Sequence, residues 1–230
     1  MMYGLESESE RWSALGQRFE CVYAKKTEDK KRAYALRRSR KDGPGLTWEI
    51  DDQDRLSEHF LLLDRASGKD FMSARLSAES LQKVLESPQL MHGERGEIAR
   101  VYLPFESNAK LYLLSRVSLN AGIMAAGLKN FDSADLGVFI NLCAFTMARL
   151  LFADALLLEL NLQQFKRCRA KGLQLEYAAP LMGDAQQRAL FYIDLNQDLK
   201  KSSVLQPAYQ ALQNSLVSQL NRPMIQENVN

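Results

Sequence analysis

Three groups of ionisable residues stand beside apolar runs within about fifty positions of one another. Trp48-Glu49-Ile50-Asp51-Asp52-Gln53-Asp54 opens the series, Ser73-Ala74-Arg75-Leu76 follows, and Gly96-Glu97-Ile98-Ala99-Arg100 closes it. Asp51 and Asp54 flank a polar turn ahead of a strand, where carboxylates bind a cationic acceptor or orient an arginine through charge-assisted hydrogen bonds. Solvated loop acids introducing a strand would carry the same letters. Arg75 sits inside an apolar strand, and an unpaired charge buried there is strongly destabilising. Asp51 or Asp54 is its expected counterion; an arginine turned outward at the sheet rim would need none. Glu97, on a strand with Ile98, Val101 and Leu103, is placed to take a proton directly or through a water. A bulge would bring Arg100 into the same cleft. The alternative is a salt-bridged strand end.

Basic residues gather in two further places. Lys166, Arg167, Arg169 and Lys171 surround Phe165 and Cys168 on a helix, and Lys25 to Lys41 holds a larger group including Arg37. Such surfaces steer acidic partners; a solvated helix face reads the same way. Ile123-Met124, Phe139, Phe145-Thr146-Met147 and Phe152 either line an apolar pocket or simply pack a core.

The elements that must position these groups follow from periodicity and punctuation. Phe19 to Ala24 alternates as a strand, and Thr27 opens a helix running to about Arg40, broken by Asp42-Gly43-Pro44-Gly45. Glu58–Asp64 and Lys69–Leu76 form a hairpin across Arg65-Ala66-Ser67-Gly68. Ala78 to Glu86 reads as a helix, Glu97 to Phe105 as a strand, and Asn108 to Phe152 as helical with a break near Asp132-Ser133. Ala155 to Leu160 is a buried strand, Leu162 to Lys171 a helix stopped by Gly172. Leu173–Ala178 and Ala189–Leu195 are strands, with helix from about Leu199 onward. The sum is an α/β (α+β) chain with a mixed sheet and helices on both faces. Residues 1–16 read as an N-terminal extension, 17–202 as the domain, and 203–230 as a C-terminal helix and polar tail.

Composition narrows the function classes. The net charge of +2 demands neither nucleic acid nor an anionic membrane. The start, Met1 to Glu8, has no apolar signal core, and no apolar run is long enough to span a bilayer, so a cytoplasmic protein is expected. Cys21, Cys143 and Cys168 form neither a disulfide framework nor a C-x-x-C pair, and His59 and His92 are the only histidines, so no metal or other cofactor is expected. No Ser-His-Asp or Cys-His motif and no G-x-x-x-x-G-K-[ST] is present. An acetyltransferase cradles the coenzyme A pyrophosphate on a Gly-rich loop after its central strand. Glu106-Ser107-Asn108-Ala109-Lys110, after the expected strand, has no glycine, which weighs against an acyl-CoA donor.

The E-x-D-x-x-D run, the A-R-L strand and the E-[IL]-[AS]-R strand together resemble the autoinducer-synthase type of N-acyltransferase. That group includes the acyl-homoserine lactone synthases, the N-acyl amino acid synthases and the exosortase-associated acyltransferases. Gly172-Leu173-Gln174-Leu175-Glu176-Tyr177 and Leu190-Phe191-Tyr192-Ile193-Asp194-Leu195 are similar to the endings of the latter two branches. The resemblance implies a GNAT-like fold whose sheet is split by a V-shaped cleft for the acyl thioester. It implies Glu97 as general base with Arg100 beside it, and Asp51, Asp54, Arg75 and Arg37 (from the Leu36-Arg37 pair) around the acceptor. It further implies an acyl carrier protein as donor, docking on Lys166, Arg167 and Arg169, and a small amine or amino acid as acceptor. Arg38-Ser39-Arg40-Lys41 stands where the family has an aromatic run, and Gln53 replaces another aromatic. These departures point away from homoserine lactone synthesis from S-adenosylmethionine and toward an N-acyl amino acid product. An acyl-CoA-dependent enzyme, and a protein that keeps the fold to bind a carrier without catalysis, are the alternatives.

Overall fold

The central ladder is a seven-stranded mixed sheet in the order β1-β2-β3-β4-β5-β7-β6. A computed structural model describes residues 7–38, 52–86, 102–120, 133–181, 187–197, 199 and 203–220. Its strands are β1 (Phe19–Tyr23), β2 (Glu58–Asp64), β3 (Lys69–Glu79), β4 (Leu111–Leu119), β5 (Ala155–Leu160), β6 (Glu176–Pro180) and β7 (Ala189–Asp194). The described helices are α1 (Glu8–Arg18), α2 (Thr27–Arg38), α3 (Asp52–Leu56), α4 (Leu81–Leu85), α5 (Ser133–Leu150), α6 (Leu162–Lys171) and α7 (Gln206–Leu220). None of them is long and apolar enough to cross a membrane.

Strands β1 to β4 form an antiparallel meander. The α5 crossover then makes β5 parallel to β4, as a crossover connection does. The sheet is covered on both faces, and the sequence alternation shows which residue goes where. Phe60 and Leu62 of β2, Met72, Ala74 and Leu76 of β3, and Leu156, Leu158 and Leu160 of β5 join one core with Trp12, Phe139, Cys168 and Leu212 from the helices. The intervening Ala155 and Leu157 pack on the other face with Val84 of α4 and Leu190. By the same alternation His59 and Arg75 point to that second face, where α2 packs over β2, β3 and β4. Arg32 of α2 ties the helix there, bonding Asp70 at 3.0 Å through Nε.

Local signals set the element ends. Ser7 and Glu10 form a reciprocal capping box that starts α1, and Asn161 and Gln164 do the same for α6. Gly172 ends α6 at φ 107°, a left-handed conformation that suits glycine, and a Cβ there would also collide with Ser203. Trp12 and Leu15 of α1, in the segment read as an extension, are fully buried.

Three expectations from the sequence are corrected. Leu111–Leu119, read as part of a long helix, is the central strand β4; its ladder with β3 shifts register within the strand, so no unbroken alternation of two marks it in the sequence. Ala78 and Glu79, read as helix, extend β3 because β4 offers them partners in Tyr112 and Leu111, and α4 starts later, capped by Ser80. Tyr102 to Phe105, read as the end of a strand, lie outside the ladders, although the Tyr102 N–H donates to the Ala178 carbonyl at 2.9 Å.

Two glycines on buried helices behave oppositely. A Cβ on Gly16 would stand 2.7 Å from the Ala208 Cα, where α1 crosses α7, whereas a Cβ on Gly137 of α5 would meet nothing within 4 Å. Gly16→Ala should therefore lose about 1–3 kcal/mol by overpacking, while Gly137→Ala should gain up to about 1 kcal/mol from helix propensity. Urea unfolding of the two variants beside the parent checks both signs.

Candidate active site

The site is built from the carboxylate upward. Asp54 lies on the one-and-a-half-turn helix α3 and is 2% exposed. Its Oδ1 accepts from Arg37 Nη1 at 2.5 Å and from Arg75 Nη1 at 3.2 Å. Both arginines are themselves almost fully buried, Arg37 arriving from α2 and Arg75 from β3. One carboxylate thus organises two guanidiniums delivered by different elements. Arg37 Nε has no hydrogen-bond partner among the described residues. Burial pulls the Arg37 guanidinium below the usual arginine range, with Asp54 acting in the opposite direction.

His59, beside Arg75 in the β2–β3 register, completes the cluster. Arg37 Nη2 lies 2.8 Å from His59 Nδ1, and His59 Nε2 lies 2.7 Å from the Asp54 carbonyl oxygen. A guanidinium only donates and a carbonyl only accepts. Nδ1 must therefore carry the lone pair and Nε2 the proton, which fixes the ring as a neutral tautomer. Burial, with the Arg37 charge adding to it, holds its pKa below the usual histidine value against the opposing pull of Asp54. Tyr34 packs edge-on against the ring.

Arg75 links this cluster to the sheet centre: its Nε donates to Ser115 Oγ of β4 at 3.0 Å and its Nη2 to Gln53 Oε1 at 3.3 Å. Beyond Ser115 the ladder is irregular. Arg75 pairs with Ser115 and Ser73 with Ser118, so Arg116 and Val117 oppose the single residue Ala74. This is a β-bulge, with Arg116 at φ 53°. On its other side β4 pairs with β5 at only three positions, Leu111–Ala155, Tyr112–Leu156 and Leu113–Leu157. The two strands then part, and a cavity of about 400 Å³ opens between them. Leu114 to Val117 and Leu158 to Leu160 form its two strand walls. Gly137, Val138, Ile140 and Asn141 of α5, with Gln164 and Cys168 of α6, close it. Glu159 and Arg188 pair across its rim at 3.2 Å. Cys168 is no thiolate nucleophile, because burial pushes its thiol up to about 11.

The residues singled out in the sequence fall in several places. Arg37, Asp54 and Arg75 meet in the buried cluster, and Asp54 is the counterion that Arg75 requires. Asp51, Glu97 and Arg100 lie outside the described residues, as does the Met124 run. On α6, Arg167 turns to Asp135 at 3.1 Å, Lys171 bonds Glu8, Arg169 lies over the Phe165 ring, and Lys166 is exposed. Phe139, Phe145 and Met147 pack the core, and Phe152 is exposed. His59, Ser115, Asn141 and Glu159 had no motif to mark them. β4 does carry one trace: Leu113-Leu114-Ser115-Arg116 repeats the L-S-R part of the E-[IL]-[AS]-R pattern with leucine in first place. The strand preceding the α5 crossover is β4 rather than the Glu97–Phe105 segment. Residues 121–132, which follow β4 and contain Gly122 and Gly127, lie outside the described residues.

No family model matches the chain, and no curated protein matches it in sequence. Solved structures do match in fold. The acyl-homoserine lactone (AHL) synthase LasI superposes with a TM-score of 0.53 at 14% identity, covering 87% of this chain and 97% of LasI. MesI, a CoA-dependent acyl-homoserine lactone synthase, gives 0.50 at 16% identity, covering 85% and 95%. BjaI, a CoA-dependent acyl-homoserine lactone synthase solved with SAM and isopentyl-CoA, gives 0.51 at 13% identity, covering 85% and 89%. The chain therefore has the fold of these synthases, a mixed seven-stranded sheet with helices on both faces.

Two outcomes follow from the buried cluster. Asp54→Asn would leave Arg37 and Arg75 buried without their shared carboxylate, and it should cost about 3–5 kcal/mol in chemical unfolding. The folded-state pKa of His59 is lowered, so the unfolded chain binds a proton that the folded chain refuses. Its contribution is complete above the usual histidine value of about 6.5 and is lost as pH falls below it. Stability measured from pH 7 to 5 should decline, and His59→Gln should flatten that decline.

Proposed function

We propose that this chain is an N-acyltransferase that moves a fatty acyl group from a carrier-protein thioester to the amine of an amino acid or related acceptor. The observation that carries the reading is the parting of β4 from β5 after three residue pairs. It opens a cavity with apolar and polar lining beside the stretch of β4 that no longer pairs with β5. An acyl chain fits the leucine, valine and isoleucine part of the walls. The amine attacks the thioester carbonyl, the C–N bond forms and the C–S bond breaks. The amine proton passes to a base and the thiol leaves.

The cluster of Arg37, Asp54 and Arg75, with Asp51 beside it in sequence, holds the acceptor side. Because Asp54 already serves two arginines, its role is to position Arg75 against Ser115 rather than to receive the amine. Glu97 is the proposed base and Arg100 its neighbour. Among the described cavity-lining residues Glu159 is the only carboxylate, and it is the rival base. Lys166 and Arg169 on the outer face of α6, a helix that also lines the cavity, suit an acidic carrier protein. Arg167 contributes less, being held by Asp135. CoA-dependence in two structural neighbours makes acyl-CoA the donor to test beside the carrier.

A second reading, an acyl-thioester-binding protein without transfer, draws on Leu113 standing first in the β4 L-L-S-R run and on Glu159 being already paired with Arg188. Purified protein incubated with acyl-carrier and acyl-CoA donors and a mixture of amino acids, read by mass spectrometry, separates the two. We expect an N-acyl amino acid whose formation falls at least about a hundredfold in Glu97→Gln. Loss in Glu159→Gln instead would move the base to β5. Donor binding with no product in any combination would leave the binding protein.

A further inference from the structure

The buried cluster contains one contact that a single proton would turn from attraction into repulsion. Among the described residues it joins two guanidiniums to one carboxylate, so positive charge is already in excess before any histidine is charged. The surroundings of His59 add to that excess. From α2 the ring meets Arg37 and the edge of Tyr34, and Lys30 contributes a further like charge. From α3 it meets Asp54, and from β3 its cross-strand neighbour is Arg75. From β1 the Ala24 N–H donates to the His59 carbonyl and brings no charge.

The 2.8 Å contact between Arg37 Nη2 and His59 Nδ1 holds only while Nδ1 keeps its lone pair. Nε2 is already committed as a donor to the Asp54 carbonyl at 2.7 Å, so Nδ1 is the one ring position where a proton can add. That proton would set N–H against N–H and cation against cation, with His59 fully buried and Arg37 nearly so. Asp54 Oδ1 offers no relief, because it is divided between Arg37 and Arg75. The smallest displacement that removes the clash is withdrawal of Arg37. It stands one residue from the end of α2, where helices open most readily. Arg32, five residues earlier, holds the other half of the helix to Asp70 through Nε at 3.0 Å. The Arg37 end can therefore lift while the Arg32 end stays, and Arg75 keeps both Asp54 and Ser115.

From this we infer that His59 is a proton-operated latch: neutral, it holds Arg37 and the last turn of α2 in the cluster, and charged, it releases them. The folded ring refuses a proton that the released ring accepts, so the opening becomes easier as pH falls below the usual histidine value of about 6.5. A fall in whole-molecule stability over the same range needs no such local step, and the two are separable. The latch stands on the geometry of the cluster alone. Its consequence for chemistry rests on the acyl-transfer reading: the acceptor side comes apart in mild acid while the donor cavity keeps its walls.

Native-state hydrogen exchange of the full chain tests it, comparing the amides of Tyr34 to Arg38 with those of Leu142 to Phe145 in α5. Rates are taken from pH 7 to 5, corrected for the intrinsic pH dependence of exchange, at several urea concentrations below the unfolding transition. The α2 amides should exchange through an opening nearly independent of urea, which rises about tenfold or more across that range. The α5 amides should exchange only through urea-dependent unfolding. His59→Gln keeps an acceptor for Arg37 and a donor for Asp54 but has no site for a proton, and it should abolish the rise in α2. Exchange of α2 with the urea dependence of α5, a rate indifferent to pH, or a rise that survives in the Gln variant overturns the latch. Should that variant not fold, nitrogen NMR of the wild-type imidazole decides: His59 taking up its proton without a matching change in α2 exchange overturns it too. In transfer assays the acceptor KM should climb more steeply in acid for the wild type than for His59→Gln, with the donor KM alike in both. Absence of transfer at every pH overturns the transfer reading and leaves the latch to be decided by exchange.

Discussion

The sharing of one buried carboxylate by two buried arginines is the interaction on which the rest of this structure depends. Asp54 cannot be solvated where it lies, and neither can Arg37 or Arg75, so each is tolerable only in the presence of the others. The three residues come from α3, α2 and β3, and their meeting fixes how those elements dock. His59 is drawn into the same arrangement and is held neutral by it. Networks of this kind contribute little to net stability compared with an apolar core of the same shape. What they supply is a single permitted geometry, because every alternative leaves a charge unpaired.

That geometry is transmitted to the cavity through one bond. Arg75 Nε reaches Ser115, the last β4 residue before the bulge, so the cluster anchors the strand at the place where its pairing fails on both sides. On the β3 side the ladder skips a residue, and on the β5 side it ends after three pairs. A strand released in this way would ordinarily collapse onto its neighbour. Here α5 and α6 fill the wedge from one face while the arginine holds β4 from the other. Cavity and cluster are therefore two sides of one strand.

Much of this was legible in the sequence wherever the signal was local. β5 and α6 appear with their expected bounds, because Ala155 to Leu160 is a short apolar run and α6 is punctuated by Asn161, Gln164 and Gly172. The hairpin of β2 and β3 and the need of Arg75 for a carboxylate were legible for the same reason. The fold class followed from the resemblance and holds. What escaped was non-local. β4 changes phase at its bulge and carries no unbroken alternation, so Leu111–Leu119 reads as one with the helical run beyond it. The start of α1 does carry a signal, Ser7 and Glu10 in capping-box spacing. His59 has no motif at all, and its role exists only once Arg37 and Asp54 have been brought to it.

The bulge at Arg116 and Val117 also changes the phase of the strand. Before it, even-numbered residues of β4, Tyr112 and Leu114, face the larger core; after it the odd-numbered Val117 and Leu119 do so. The strand is thus written in two reading frames joined by a one-residue slip. Deleting a single residue there would restore an unbroken ladder with Ser73 and Arg75. It would also bring the downstream half of β4 back into step with the upstream half. Which side chains of β4 line the larger core is consequently a matter of counting: one residue more or less moves Val117 and Leu119 to the opposite face.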